Sequence, residues 1–255
     1  MGALDACAQG VEGVLPGADP PPGPFHVPTL GMPTFTRNGA HVPIVVELTD
    51  PMEPDHYISS LQILNEGDPI PAKGTFHLTP ANGQAYLATQ ARMRSGTSSV
   101  TVIAECTRHG RSVARQSITI PEGAEGCASA ADGPDGRTGH DDIPPPVIRI
   151  PEIVARGRIQ RGEIVRVQLQ VKHPSQTGLA LRGGKYVQES DPFYLQTMEA
   201  FYGDQLVSRF EMTPAGSDNP FVTFKLRATE ARRVRIVLTN NRGQRFEASE
   251  EVALS

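Results

Sequence analysis

The chain has 255 residues, a hydrophobic fraction of 38% with no Trp, and 25 Gly with 23 Pro. That composition favours many short strands and turns over long helices, in two small domains or one large all-β domain. A net charge of −4 disfavours nucleic acid as a partner, and no run of about 18 apolar residues occurs, so no membrane insertion is expected.

Residues 1–31 are rich in Gly, Pro and Ala and lack sustained periodicity; they read as a flexible N-terminal tail that carries Cys7. No Lys or Arg precedes Arg37, so the basic head of a secretory signal is absent. The sequence is read as a cytoplasmic chain or as a processed or truncated form of an exported one.

Residues 32–120 read as strands. Candidates are 42-VPIVVEL-48, 56-HYISSLQILN-65, 74-GTFHLT-79, 85-AYLATQARM-93, 99-SVTVIAEC-106 and 112-SVARQSITI-120. Turn signals at Asn38-Gly39, Gly67-Asp68-Pro69 and Asn82-Gly83 separate them. In the fifth candidate, Val100, Val102, Ala104 and Cys106 share one face, so Cys106 reads as a small core residue.

Residues 121–145, PEGAEGCASAADGPDGRTGHDDIPP, contain five Gly, four Pro and four Ala, with Ile143 the only large aliphatic residue. By composition this stretch cannot recover its ordering entropy through side-chain burial, and its length points to a boundary between domains. We read 121–146 as a mobile arm and linker. Cys127 stands seven residues beyond Ile120, a reach of roughly 23 Å if extended, with only small residues next to it.

Residues 147–255 form a second β-rich block. In 163-EIVRVQLQV-171, Val165, Val167, Leu169 and Val171 alternate with Arg166, Gln168 and Gln170; in 221-FVTFKLRA-228, Val222, Phe224 and Leu226 oppose Thr223, Lys225 and Arg227. Further strands are expected at 193–203, 205–212, 233–238 and 244–254. The expected fold class is all-β, two β-sandwich domains joined by a flexible linker.

The three cysteines, Cys7, Cys106 and Cys127, lack the spacing of a disulfide framework or thiolate metal site. Cys127 is the conspicuous one. A free thiol titrates near about 8.5, and its neighbours Glu122 and Glu125 disfavour the anion. No base adjoins it in sequence, so a catalytic nucleophile is a poor fit; a carrier thiol activated by a partner and an incidental linker cysteine both remain open. The cluster 140-HDD-142 reads as solvent-facing, His173 before Pro174 as a turn or edge residue, and His41 with His56 lack a third ligand on a shared face. There is no Gly-x-Ser-x-Gly elbow and no Gly-rich phosphate loop. Arg232, Arg233 and Arg235 make a local basic patch, part of it a wet strand face. Neither a metal nor a cofactor is expected, and no enzymatic activity.

Residues 32–127 resemble SoxY, the sulfur-carrying subunit of bacterial sulfur oxidation, through 38-NGAHVPIVVEL-48, 50-DPMEPDHYISSLQIL-64, 76-FHLTPANGQAYLATQARM-93 and Gly126-Cys127. Residues 147–255 resemble SoxZ through 162-GEIVRVQLQVKHPSQTG-178, 218-DNPFVTFKLRA-228 and a hairpin at Asn241-Arg242-Gly243. The resemblance implies immunoglobulin-like sandwiches that pair with each other. It implies a periplasmic, non-enzymatic carrier with Cys127 as the point of covalent attachment, and enzymes of thiosulfate oxidation as partners. It also allows association with a quinoprotein dehydrogenase system, in which the domains bind protein and the cysteine is idle. The family's arm ends Gly-Gly-Cys-Gly-Gly, whereas this chain reads 125-EGCAS-129 and continues into a second domain. Ser175 and Gln176 likewise stand where SoxZ has Met-Glu.

Overall fold

The computed structural model describes residues 26–50, 52–129 and 143–255. Alternating apolar and polar side chains give most of the strands, since period-two residues bury one face of a sheet. The first part contributes β1 (Thr29–Gly31), β2 (Val42–Glu47), β3 (Ile58–Asn65), β4 (Ala72–Leu78), β5 (Tyr86–Ala91), β6 (Gly96–Cys106) and β7 (Gly110–Ile120). After residue 143 come β8 (Val147–Arg149), helix α1 (Pro151–Arg156), β9 (Ile164–Gln170), β10 (Leu179–Arg182) and β11 (Lys185–Gln188). The chain closes with β12 (Leu195–Tyr202), β13 (Gln205–Met212), β14 (Phe221–Arg227), β15 (Arg233–Asn240) and β16 (Arg245–Glu251). The structure is thus almost entirely β.

The strands form two large sheets, each drawn from both ends of the chain. One has the order β1-β2-β5-β14-β9-β8 and the other β16-β15-β12-β13-β4-β3-β6-β7, with β10 and β11 as a separate hairpin. Two antiparallel ladders join the ends: β13 to β4, with Phe210 opposite Phe76, and β14 to β5, with Phe224 opposite Leu87. Phe210 lies 5.1 Å from Phe76 and 5.8 Å from Phe224, edge to face with both, and so links one sheet to the other across the core. Burying one such side chain stabilises by about 1.5–3 kcal/mol.

Beside the ladders Asn82 is fully buried. Its amide nitrogen donates to Ser208 Oγ at 2.9 Å and to the Lys225 carbonyl at 2.8 Å, while its oxygen accepts from the Thr79 N–H at 2.9 Å. A buried amide with each hydrogen bond made fixes the register of the joint.

Residues 26–31 differ from the expected tail. Thr29–Gly31 pairs with Glu47–Val45, and Leu30 packs against the core, because backbone donors on the edge of β2 can order a segment that lacks sequence periodicity. Residues 1–25, with Cys7, lie outside the described residues, as do 130–142 with His140, Asp141 and Asp142. The face reading of β6 holds: Val100, Val102, Ala104 and Cys106 are all buried. The arginine patch is matched by carboxylates, Arg232 with Glu230, Arg233 with Glu251 and Arg235 with Glu247.

Candidate functional site

β7 ends at Ile120, opposite Gly96 of β6, and Pro121 follows, which has no N–H to continue the ladder. The chain turns at Gly123 (φ 81°), where the Ala124 N–H donates to the Pro121 carbonyl at 3.2 Å. It then crosses the end of the fold between backbone partners. The Gly39 N–H donates to the Ala124 carbonyl at 2.8 Å, the Gly126 N–H to Met93 at 2.9 Å, and the Met93 N–H to Gly39 at 2.7 Å.

Gly126 is required by this crossing. A Cβ there would lie 2.2 Å from the Gly39 carbonyl oxygen and 2.3 Å from Ala40 Cα, closer than atoms can approach. Beyond it, Thr177 Oγ1 donates to the Cys127 carbonyl at 2.7 Å, Ser129 N–H to Leu179 at 2.9 Å, and Gly178 N–H to Ser129 at 3.0 Å. Arg92 binds both sides: its guanidinium donates to the Gly126 carbonyl at 3.1 Å, the Ser175 carbonyl at 2.9 Å and Asp218 at 3.0 Å.

The arm is therefore seated across the joint of the two parts, and Cys127 is a free thiol only 2% exposed. This corrects the expectation of a thiol standing clear of its domain. Composition registers what side chains can bury, whereas this arm is held chiefly by its own backbone groups.

Burial pushes the Cys127 thiol up to about 12, with the carboxylate of Asp68 adding to the shift and Lys73, Arg92 and Arg94 opposing it. Asp68 and Lys73 form a buried ion pair at 2.6 Å. Lys73 also donates to the carbonyls of Ile70 and Arg92, both at 2.9 Å, and Asp68 accepts from the Arg94 N–H at 2.8 Å. Tyr186 of β11 is likewise pushed up to about 12, by burial first and then by Cys127, Glu125 and Asp68. The site holds a protonated, shielded thiol. The groups acting on it are two arginines, a lysine and a carboxylate, with no histidine among them, so the arrangement does not activate a nucleophile.

Two further sequence candidates adjoin the anchors of the arm, since Arg92 binds both the Ser175 carbonyl and Asp218. His173 is fully buried, stacked on Phe193 at 4.5 Å with Nδ1 3.1 Å from Ser175 Oγ, as packing rather than chemistry. His41 pairs with Asp218 at 3.1 Å. Sequence reasoning missed Arg92, Asp68, Lys73 and Thr177. Arg92 carried a signal, a cation between two apolar residues at the end of a strand. The small polar run 175-SQT-177, which cradles the arm, carried a weaker one.

Comparison with known families places two matches on this chain. "Sulfur oxidation protein SoxY" covers residues 24–127 and "Sulphur oxidation protein SoxZ" covers residues 154–251. No curated protein sequence matches. Among solved structures, a superoxide reductase (neelaredoxin) from Ignicoccus hospitalis is 16% identical, over 44% of this chain and 82% of its own, with a TM-score of 0.34. A hypothetical protein from Pyrococcus horikoshii OT3 is 14% identical, over 49% and 96%, with a TM-score of 0.28.

Proposed function

The chain belongs to the SoxYZ carriers of sulfur oxidation, as a SoxY-like part fused to a SoxZ-like part, and on that premise we propose that Cys127 is the residue to which sulfur intermediates are attached. The observation that carries this reading is where the SoxY match stops: its last residue is Cys127 itself. The seated arm is then a closed, resting state, in which burial and Asp68 keep the thiol protonated and unreactive. In the open state the arm leaves Gly39, Met93 and Thr177 and presents the thiol to a partner enzyme. Each backbone bond contributes about 0.5–1.5 kcal/mol net, and water replaces them on opening.

Attachment of thiosulfate forms one S–S bond. The Cys127 thiol releases its proton and the pair together give up two electrons, which a partner oxidase accepts. The base, metal or haem for that step comes from the partner. We take 32–120 and 147–255 as immunoglobulin-like sandwiches, paired within one chain, with 121–146 as arm and linker. Fusion raises the effective concentration of each part for the other. A periplasmic setting, in contact with the enzymes of thiosulfate oxidation, completes the reading.

The alternative is a protein-binding module associated with a quinoprotein dehydrogenase system, with Cys127 idle; the burial of the thiol speaks for it. Intact-mass analysis after incubation with thiosulfate and the oxidising partner separates the two. The carrier gains one S2O3 unit, and Cys127→Ala abolishes the gain. An adduct that survives that substitution, or none under conditions that load a separate SoxY, sinks the assignment.

A further inference from the structure

The end of the eight-stranded sheet remote from Cys127 gathers three histidines and a cysteine that the carrier function does not use. β3 begins just after His56, β6 ends at Cys106 opposite Ile58, and the turn into β7 carries His109. The segment leading to β1 brings in His26, whose backbone is at φ 65°, one of two described non-glycine residues in the left-handed region. Ser112 Oγ donates to the His26 carbonyl and holds that strained residue in place.

We propose that His26, His56, Cys106 and His109 bind a single Zn(II)-class transition-metal ion. Their ligand atoms all lie within 4.8 Å of one another. His56 Nε2 is 3.2 Å from both His26 Nε2 and His109 Nδ1, those two are 2.6 Å apart, and Cys106 Sγ is 3.8 Å from His109 Nδ1. A tetrahedral ion with Zn–N and Zn–S bonds of about 2.0–2.1 and 2.3 Å spaces its ligands about 3.3 Å (N to N) and 3.6 Å (N to S) apart. Three of the four measured spacings are within a few tenths of an ångström of those edges; entry of the ion would spread the closest pair.

The surroundings match what a bound ion requires. Asp50 lies 2.6 Å from His26 Nδ1, which fixes the tautomer that turns Nε2 inward. The Arg108 N–H donates to Cys106 Sγ at 3.5 Å. His109 is exposed and offers the ion a way in, while Cys106 is buried. Three imidazoles with one thiolate suit Zn(II) or another borderline ion better than Mg(II) or Ca(II). Four protein ligands leave no open position, so the ion is structural and ties the segment before β1 to the sheet. On binding, Cys106 releases its proton to solvent and forms the S–metal bond, with no change of oxidation state. The site is independent of the carrier thiol, since the eleven residues of β6 set its two ends about 33 Å apart.

Titration of the chelator-treated full chain with Co(II), followed by Zn(II), tests this. One Co(II) per chain should give tetrahedral d–d bands with a thiolate charge-transfer band, bleached by one equivalent of Zn(II). Cys106→Ser should remove the charge-transfer band. His109→Ala, on an exposed turn where folding is not at stake, should weaken Zn(II) binding at least about 10-fold. Cys127→Ala should leave the spectrum unchanged. Absence of saturable Co(II) binding, an octahedral spectrum without the thiolate band, or His109→Ala binding as tightly as the parent would each overturn the site.

Discussion

Substituting Gly126→Ala attacks the seating of the arm at a point where there is no room for a methyl group. The new Cβ meets backbone at 2.2 and 2.3 Å rather than a side chain that could swing away, so the arm or the Gly39–Ala40 turn must move. Overpacking of this kind costs about 1–3 kcal/mol, here charged to the closed state alone. At tenfold per about 1.4 kcal/mol, the open population rises about 5- to 150-fold. Thiol labelling reads that population directly. With the thiol at about 12 in the closed state, only about one molecule in ten thousand is thiolate at pH 8. An exposed thiol titrating near about 8.5–9 is about 10–25% thiolate there. Labelling thus proceeds through open molecules, and the rate at Cys127, resolved by peptide mass from Cys7 and Cys106, should rise by the same 5- to 150-fold. An unchanged rate in a folded Gly126→Ala protein would refute the claim that this crossing is what buries the thiol.

Other outcomes follow from the same contacts. Because the closed arm raises the Cys127 pKa from the ordinary range to about 12, the open or unfolded state loses its proton first. The closed state is therefore fully favoured below about pH 9 and loses about tenfold per unit between about 9 and 12; labelling corrected for thiolate content should show that slope. Asp68→Asn leaves Lys73 charged and buried without its partner, which should cost about 3–5 kcal/mol in urea denaturation. The double variant Asp68→Asn, Lys73→Met should recover part of the loss. Phe210→Ala removes the ring that links the two sheets and should destabilise by about 3–5 kcal/mol, in a single transition rather than two if both parts unfold together.

Period-two alternation exposed most of the strands, because burying one face leaves its mark on every second residue. Val165 to Val171 and Val222 to Leu226 are plain examples. Alternation says which face a residue occupies and nothing of which strand lies beside it, so the pairing of β13 with β4 and β14 with β5 could not be read. β1 escaped notice because three residues are too few to establish a period. Cys127 was legible as the residue to single out, but its environment was not: Gly126 fits through what it lacks, and its partners Gly39, Met93 and Thr177 are scattered along the chain. The histidine cluster was hidden for a similar reason. His26 and His109 are 83 positions apart, and Cys106 on a core face looked fully accounted for by packing.

The ladders that bind Phe76 to Phe210 and Leu87 to Phe224 do not depend on the covalent connection between residues 129 and 143. Two fragments cut in that stretch should find each other and complement, as separately translated subunits do. The same independence lets the first part of one copy pair with the second part of another at high concentration. A swapped dimer of that kind would keep both arms seated, yet leave each thiol in a cradle that its neighbour completes through Thr177 and Leu179.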